Sequence, residues 1–320
     1  TPAGHRLDEA LAGLDAMVAI DFYVNETTRH ADVILPPTSP LERDHYDIVF
    51  HILAVRDTAR WSPALFTPAP GAKHDWEIAR DLGTALLRAR GGGLKARWSR
   101  ATLETEARLR LSPRRQLDAL LRSSGARLSV AKLEKTVAGA DHGPLKPRLP
   151  ERLFTPEKRT DLLPTVVAEA LPTLLTALSA GPTLADGELL LIGRRHQRDN
   201  NSWLHNSTRL TRGRARHALM AHPDDLAARG IRGGDVVTVR SAVGEVRVEV
   251  EATDDLMPGV VSLPHGYGHA RDGVRLRNAV EVPGVSMNDL TDPSVVESVS
   301  GNAVLNGVPV TVAPVTDGPA

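Results

Sequence analysis

Six short apolar segments, each bounded by turn-forming residues, constrain the fold of this chain most strongly. They occupy residues 188–192, 218–221, 235–241, 244–252, 259–263 and 308–312. Short runs rich in Val, Ile and Leu with glycine turns between them, such as Gly233-Gly234, are typical of β-strands. Six such strands favour a closed barrel, because closure leaves no unpaired strand edge. We therefore predict a β-barrel domain over residues 185–320.

One compact helix is expected between the second and third of these strands. His222 precedes Pro223, acidic residues fill the first turn, and Gly230 follows where a left-handed C-terminal cap is favoured. The pattern places this helix within residues 222–230.

The first part of the chain has a different pattern. Residues 16–24 and 31–35 are apolar runs typical of buried parallel strands, and residues 74–89 have the spacing of an amphipathic helix. Residues 25–30 form a polar turn or short helix, with Thr27 and Thr28 as candidate N-caps. We predict that residues 1–90 are the end of a doubly wound, Rossmann-like α/β domain.

A helical, proline-rich linking region is predicted over residues 91–184. The glycine run 91–93 marks its start, and helices are expected at residues 101–111, 113–123 and 162–178. No pattern in this region points to chemistry.

Composition excludes several classes of protein. Lys plus Arg and Asp plus Glu number 39 each, so no net charge attracts nucleic acid or an anionic membrane. No apolar run approaches the roughly 20 residues of a membrane helix, and the N-terminus lacks a signal-peptide pattern. With no cysteine, the chain cannot supply thiolate ligands to zinc or to an iron–sulfur cluster. We expect a cytoplasmic location, and the missing initiator Met indicates processing or a piece of a longer protein.

The first candidate site is a long polar loop that follows the strand ending at Ile192. Gly193 lets the backbone turn sharply, and Arg side chains suit phosphate or heterocycle carbonyls. Amide, hydroxyl and ring groups can read a heterocycle edge or stack on it, and loops this long are usually functional or disordered. The candidate ligand-binding residues are Gly193, Arg194, Arg195, Asn200, Asn201, Ser202, Trp203 and His205.

The second candidate site combines residues 264–269 with residues 288–292. His265 and His269 are four residues apart, but Gly266 and Gly268 disfavour a helix, so we expect pocket lining and no metal site.

The third candidate site starts at Asp21, where the first predicted strand ends. Ligands of doubly wound sheets bind beyond the carboxyl ends of strands, so Asp21 could accept hydrogen bonds from a ribose or guanine. The alternative is a structural cap for Asp21 and a solvated charge run for residues 42–44. The chain has no Walker loop, nucleophile elbow, G-x-G-x-x-G or H-E-x-x-H motif, so we expect binding groups and no catalytic residue.

Three runs in this order resemble the C-terminal part of the molybdopterin oxidoreductases of the dimethyl sulfoxide reductase superfamily. Residues 21–43 resemble that family's "D-x-x-x-T-E-T-x-x-x-A-D-V-V-L-P…E-K/R" run. Residues 217–237 resemble its "N/H-P-x-D-A…G-I-x-D-G-D-x-V" run, and residues 288–291 its "N-x-L-T" element. Formate dehydrogenases and nitrate reductases are the nearest relatives in pattern. The loop after Gly193-Arg194 is longer than the family's, and no counterpart follows for the basic residue after "N-x-L-T".

The resemblance assigns roles to individual residues. Asp21 and Arg43 match positions that contact a guanine dinucleotide, as Asp75 does less closely. The stretch from Gly193 to His205 matches the loop that wraps the pterin. Asn288 matches a pterin contact, and His265 stands about where the family usually has an aromatic residue.

The resemblance also implies a fold, a cofactor and partners. It implies a six-stranded double-psi β-barrel that binds molybdopterin guanine dinucleotide (bis-MGD) with Mo or W. It implies oxidation of formate or reduction of nitrate or a similar small substrate. The metal ligand and any [4Fe–4S] cluster would belong to the N-terminal portion of the enzyme, which is the expected partner together with an electron-transfer subunit.

Two alternatives remain open from the sequence. A non-catalytic double-psi barrel module or scaffold could have kept this fold after losing the redox centre. An unrelated double-psi barrel enzyme would share the barrel but would not explain the run from Asp21 to Arg43.

Overall fold

The computed structural model describes residues 2–89, 111–181 and 184–315. Two compact units divide the chain: unit 1 comprises residues 1–17, 23–32 and 161–320, and unit 2 comprises residues 18–22 and 33–160. The helices are α1 (Gly4–Ala12), α2 (Asp75–Ala89), α3 (Pro113–Ser123), α4 (Val130–Glu134), α5 (Thr165–Ala180) and α6 (Pro223–Ala227). The strands are β1 (Val18–Ala19), β2 (Val33–Ile34), β3 (Arg56–Ala59), β4 (Ala140–Pro144), β5 (Leu189–Arg194), β6 (Leu219–Ala221), β7 (Val236–Arg240), β8 (Glu245–Ala252), β9 (Val260–Pro264) and β10 (Val308–Pro314). Within these ranges no helix is both long and apolar enough to cross a membrane.

Unit 1 is built on the predicted barrel. Its strands close in the order β10-β5-β9-β6-β8-β7, in the part of the chain that the structure describes. The pairs β5–β9 and β6–β8 are parallel, and the other pairs are antiparallel. The predicted barrel is therefore confirmed, and its strands lie within two residues of their predicted ends.

The barrel interior is a single apolar core. Along β8 the side chains of Val246, Val248 and Val250 are buried, whereas the residues between them face outward. The same alternation on β7 and β10 adds Val237, Val239 and Val310. Alternation follows from the two-residue period of a strand, which sends successive side chains to opposite faces. Removing these side chains from water supplies the main stabilisation of the barrel.

The predicted helix before β7 is present as α6. The Nδ1 atom of His222 accepts a hydrogen bond from the backbone N–H of Asp224 at 3.2 Å, so His222 is the N-cap. Gly230 has φ +67°, the left-handed conformation expected at the end of the helical turn.

Unit 2 contains two small sheets and three helices among its described residues. β1 and β2 form a short parallel pair, and β3 pairs with β4 in antiparallel fashion. Its core is formed where α3 and α4 pack on β3, around Trp61, Leu117 and Leu133. The predicted helices 74–89 and 113–123 are confirmed as α2 and α3.

Several expectations for these residues need correction. The strand predicted at 16–24 is limited to Val18–Ala19, because the backbone turns after it. Thr27 makes no side-chain cap, and Asn25 Oδ1 instead accepts hydrogen bonds from the backbone N–H groups of Thr27 and Thr28 at 3.0 Å. α1 was not predicted. The linking region contains β4, a strand that the sequence analysis missed. The helix expected at 101–111 and the glycines at 91–93 fall almost entirely outside the described residues.

Candidate functional site

A polar cleft in unit 1 brings together residues from distant parts of the chain. Its volume is about 410 Å³, within the range of roughly 300–1,000 Å³ typical of small-molecule sites. The predicted residues that line it are Asn201, Ser202, His265 and Asn288. Other side chains in its wall come from α1, from the turn at residues 26–27, and from residues 266–271 and 286–287.

Gly266 allows two backbone segments to cross at one wall of the cleft. Its φ is +96°, and a Cβ at this position would lie 2.3 Å from the carbonyl oxygen of Asn201. A real Cβ cannot approach an oxygen so closely, so the crossing requires glycine. This contact fixes the polar loop after β5 against the segment after β9.

The polar loop presents amide groups held in place by local contacts. Asn200 and Asn201 have φ values of +42° and +63°, a left-handed conformation that asparagine tolerates better than most residues. The guanidinium of Arg195 donates to Asn201 Oδ1 at 2.6 Å. With its oxygen engaged, the Asn201 amide keeps its N–H groups as donors for a ligand.

Arg194 and Gly193 make contacts within the barrel domain and not with the cleft. The guanidinium of Arg194 donates to the carbonyl oxygens of Ser262 at 2.5 Å and Ala218 at 2.6 Å. Burial lowers the pKa of Arg194. Gly193 N–H donates to Asn306 Oδ1 at 2.8 Å, and its missing side chain leaves room for Met287. Neither residue is among those that line the cleft.

Trp203 corrects an expectation. It was predicted to bind a ligand as part of the polar loop, but the residue is 77% exposed and lies outside the cleft wall. Asn200 is also exposed and outside the cleft.

A series of hydrogen-bonded groups leads from the cleft wall, where Glu26 and His269 lie, to the buried His205. Glu26 Oε1 lies 2.6 Å from Nδ1 of His269, and Nε2 of His269 lies 2.9 Å from Nδ1 of His205. Both histidines are buried, with 2–3% of their surface exposed. The Nε2 atom of His205 is buried and has no hydrogen-bond partner in the described structure. The nearest carboxylate, Asp199 Oδ1, is 3.6 Å away, which is beyond hydrogen-bond range.

Buried charges surround the far end of this chain. Asp199 is 2% exposed and accepts a hydrogen bond from Arg216 at 2.7 Å, which compensates its charge. The ring of Tyr267 packs on His205 with centroids 4.2 Å apart, and its hydroxyl is 3.4 Å from Asp199.

The electrostatics favour a neutral His205 ring and an ionised Glu26. Burial lowers the pKa of His205 below 6.5, although Asp199 opposes the shift. Burial also lowers the pKa values of His217 and His265. Burial by itself would raise the pKa of Glu26, but hydrogen bonds led by that of His269 bring the net pKa below its usual value.

The residues assigned to a guanine dinucleotide lie in unit 2. Arg43 forms an ion pair with Asp75, the first residue of α2. Burial raises the pKa of Asp75, but the hydrogen bonds from Arg43 and the Trp76 backbone, together with the nearby positive charges, bring the net pKa below its usual value. Asp21 Oδ1 accepts from the backbone N–H of Phe22 at 2.7 Å. Of these three predicted residues, the structure brings Arg43 and Asp75 into contact with each other.

Asp199 and Arg216 were not predicted as site residues, Glu26 was named only within the run 25–28 that follows Asp21, and His269 was predicted only as pocket lining. They are spread over almost 250 residues of sequence, so no local pattern links them. The run of two histidines, tyrosine and glycines after β9 was the one usable signal. Among the described residues, no group of three His, Asp or Glu side chains is arranged to hold a metal ion.

Asn288 contributes a free side-chain amide to the cleft. It lines the cleft, is only partly buried, and its side-chain amide makes no hydrogen bond to another described residue. Asn201, Ser202 and Asn288 together offer both hydrogen-bond donors and acceptors to a polar ligand.

Comparisons with known proteins agree with this arrangement. A family model described as molydopterin dinucleotide binding domain matches residues 189–309, and one described as molybdopterin oxidoreductase matches residues 1–85. The chain is 39% identical over 92 residues to the assimilatory nitrate reductase catalytic subunit of Bacillus subtilis, covering 28% of this chain and 12% of that protein. It is 23% identical over 313 residues to the thiosulfate reductase molybdopterin-containing subunit of Salmonella typhimurium, covering 91% of this chain and 39% of that protein.

A solved structure shows the same fold. Acetylene hydratase from Pelobacter acetylenicus superposes with a TM-score of 0.68 at 15% identity, covering 98% of this chain and 42% of that chain. The chain therefore spans well under half the length of each of these proteins.

Proposed function

Because the chain belongs to the molybdopterin oxidoreductases of the dimethyl sulfoxide reductase superfamily, we propose that it holds a molybdopterin guanine dinucleotide within a larger redox enzyme. The observation that carries the proposal is the unit 1 cleft, where Asn201 and Ser202 lie with Asn288, which is far from them in sequence. When bound, the cofactor would supply the two-electron redox chemistry with Mo or W, and the protein would supply binding and orientation.

The chain's own residues have separate tasks in this proposal. Asn201 and Asn288 bind the polar edge of the pterin, with Arg195 orienting the Asn201 amide. Gly266 keeps the cleft wall closed by letting the two segments cross. In unit 2, Asp21, Arg43 and Asp75 are the candidates for the guanine nucleotide, and Asp75 would exchange its partner Arg43 for the nucleotide.

We propose reduction of a small oxidised substrate, such as nitrate, as the reaction of the whole enzyme, with formate oxidation as the alternative. Support comes from the names of the relatives, which are reductases of nitrate and thiosulfate. The remaining parts of such an enzyme would provide the metal ligand, any [4Fe–4S] cluster and the contact to an electron-transfer subunit.

The finer fold assignment belongs to the same proposal. Two parallel strand pairs within a closed six-stranded barrel support a double-psi topology for unit 1. The parallel pair β1–β2 supports an origin of the surrounding residues in a doubly wound sheet.

The test is cofactor retention by the full-length enzyme that contains this chain. We expect Asn201→Ala combined with Asn288→Ala to lower the molybdenum and pterin content of the purified enzyme roughly 10-fold, since lost ligand hydrogen bonds cost about 1.4 kcal/mol or more in total. Metal analysis and pterin fluorescence after acid release provide the measurement.

The matched control is Asn302→Ala, because Asn302 is exposed and lies outside the cleft. It should retain the cofactor in full. Unchanged cofactor content in the double variant would exclude this cleft as the pterin site.

A further inference from the structure

The two buried histidines lie between two separate clefts of unit 1. Glu26 and His269 line the polar cleft already described. His205 contributes to the wall of a second cleft of about 400 Å³, which is also lined by Arg216 and by the basic segment 212–214. Tyr267 lines both. The hydrogen-bonded series Glu26–His269–His205 therefore runs from one cleft to the other.

The ionised Glu26 determines where the protons lie on both rings. A carboxylate only accepts hydrogen bonds, so His269 must donate from Nδ1. In a neutral ring Nε2 is then an acceptor, so His205 must donate to it from its own Nδ1. This leaves His205 Nε2 as an acceptor that faces another acceptor, the carboxylate of Asp199. The 3.6 Å gap between them is what two acceptors would produce.

Adding one proton to His205 Nε2 reverses the direction of the hydrogen bonds in this series. If His205 Nε2 becomes protonated, it can donate towards Asp199, and the Nδ1 proton of His205 is free to move to His269. The buried acceptor with no partner is thus the point at which the series can take up a proton. An acceptor left unpaired in a buried site is costly, which argues for a role beyond packing.

We propose that Glu26, His269 and His205 form a proton relay between the two clefts of unit 1. A hydronium ion in the second cleft supplies the proton that His205 Nε2 takes up and leaves a water behind, as the Nδ1 proton of His205 passes to His269 Nε2. The Nδ1 proton of His269 passes to Glu26 Oε1 in the same event. One proton enters, one arrives on Glu26, and each ring ends neutral with its proton on Nε2.

The groups around the relay suit this transfer. His205 faces Asp199, Arg216, Tyr267 and His217. The Asp199 carboxylate favours a proton on His205 Nε2, and it accepts a hydrogen bond from Arg216. At the other end Arg271 acts on Glu26 and keeps it ionised at rest. The proton that reaches Glu26 is delivered at the wall of the polar cleft. Its use there rests on the proposed function, because reductions of oxidised substrates consume protons.

The relay is tested first in the chain itself, by ¹⁵N NMR of the histidine rings. At neutral pH we expect both His205 and His269 to carry the proton on Nδ1, with scalar coupling across the bond between the rings. On acidification the signals of both rings should change in the same titration steps, because strongly interacting groups share macroscopic pKa values. Independent titration of the two rings, or an Nε2–H form of His205 at neutral pH, would overturn the relay.

A substitution of Glu26, at one end of the relay, tests whether the titration of His205 at the other end changes as well. Glu26→Gln keeps the size and a hydrogen-bond acceptor but cannot hold a proton, so the midpoints of both rings should shift together. His217 is the internal control, since it packs against the same tyrosine but is hydrogen-bonded to the backbone of Val285. A shift confined to His269 would contradict the proposal.

A second experiment uses the full-length enzyme. Glu26→Gln should lower turnover by roughly 100-fold, the low end of what a positioned proton-transfer group contributes, and raise the solvent deuterium isotope effect. Cofactor content should not change, and a loss of cofactor would overturn the relay in favour of a binding role. If the wild-type enzyme reduces no substrate, the proposed function fails, while the NMR result on the chain still decides the relay.

Discussion

At the scale of single residues, Gly266 shows how one missing side chain shapes a site. Its backbone crosses that of Asn201 so closely that no Cβ fits, and its φ of +96° is itself unfavourable for other residues. The close approach to Asn201 and the positive φ each exclude a side chain on steric grounds. Only the positive φ could be anticipated from the sequence, since glycine is common at turns. The crossing depends on a segment 65 residues away in sequence.

We predict that Gly266→Ala destabilises unit 1 by well over 2 kcal/mol, because left-handed backbone strain of about 1–2 kcal/mol adds to a backbone clash. Gly213→Ala is the matched control, since Gly213 has φ +101° with nothing within 4 Å of the added Cβ. The Gly213→Ala variant should show only the loss of stability that comes from backbone strain. Urea denaturation followed by circular dichroism gives both values, and equal losses would show that the crossing relaxes at no cost.

At the scale of elements, the strands of the barrel follow their sequence patterns closely. β8 alternates buried and exposed residues over nearly its whole length, so its period of two was readable from the sequence. β3 and β4 were not recognised, because β3 contains Arg and Asp and β4 contains Asp, His, Gly and Pro. Their pairing follows from contact between segments about 80 residues apart and from no local preference.

We predict that Val248→Ala, in the middle of β8, lowers the free energy of unfolding by about 2 kcal/mol. It removes two buried methyl groups at about 0.8 kcal/mol each and leaves a small cavity. Glu249→Ala, on the exposed face of the same strand, should change it by less than about 0.5 kcal/mol. Comparable losses for the two variants, measured by chemical denaturation, would contradict the assignment of faces.

At the scale of the whole molecule, the chain consists of two compact units that each contain a core and candidate binding residues. The two family models match residues 1–85 and 189–309, and the residues between these ranges are matched by neither. The resemblance identified from three runs of sequence is confirmed by these matches and by the relatives.

We predict that the chain loses stability as the pH falls below about 6.5. Burial depresses the pKa values of His205, His217 and His265 in the folded state, so below their ordinary value of 6.5 the unfolded state binds more protons. The lowered pKa of Glu26 adds a loss in the same direction at more acidic pH. Urea midpoints measured from about pH 7.5 downwards test this, and a stability that is constant or rises between about pH 6.5 and pH 5 would contradict it.

The barrel, the helix α6, the family and the loop that carries Asn201 were all predictable from the sequence. These depend on local periodicity, on turn chemistry and on motifs whose order along the chain is visible. The hydrogen bonds of Arg194 to barrel carbonyls, the exposure of Trp203 and the pairing of Arg43 with Asp75 became known from the folded chain. The folded chain also places Glu26, His269, His205 and Asp199 next to one another. The physical reason is that hydrogen bonds between distant segments depend on where the folded backbone places each donor and acceptor, which no local pattern encodes.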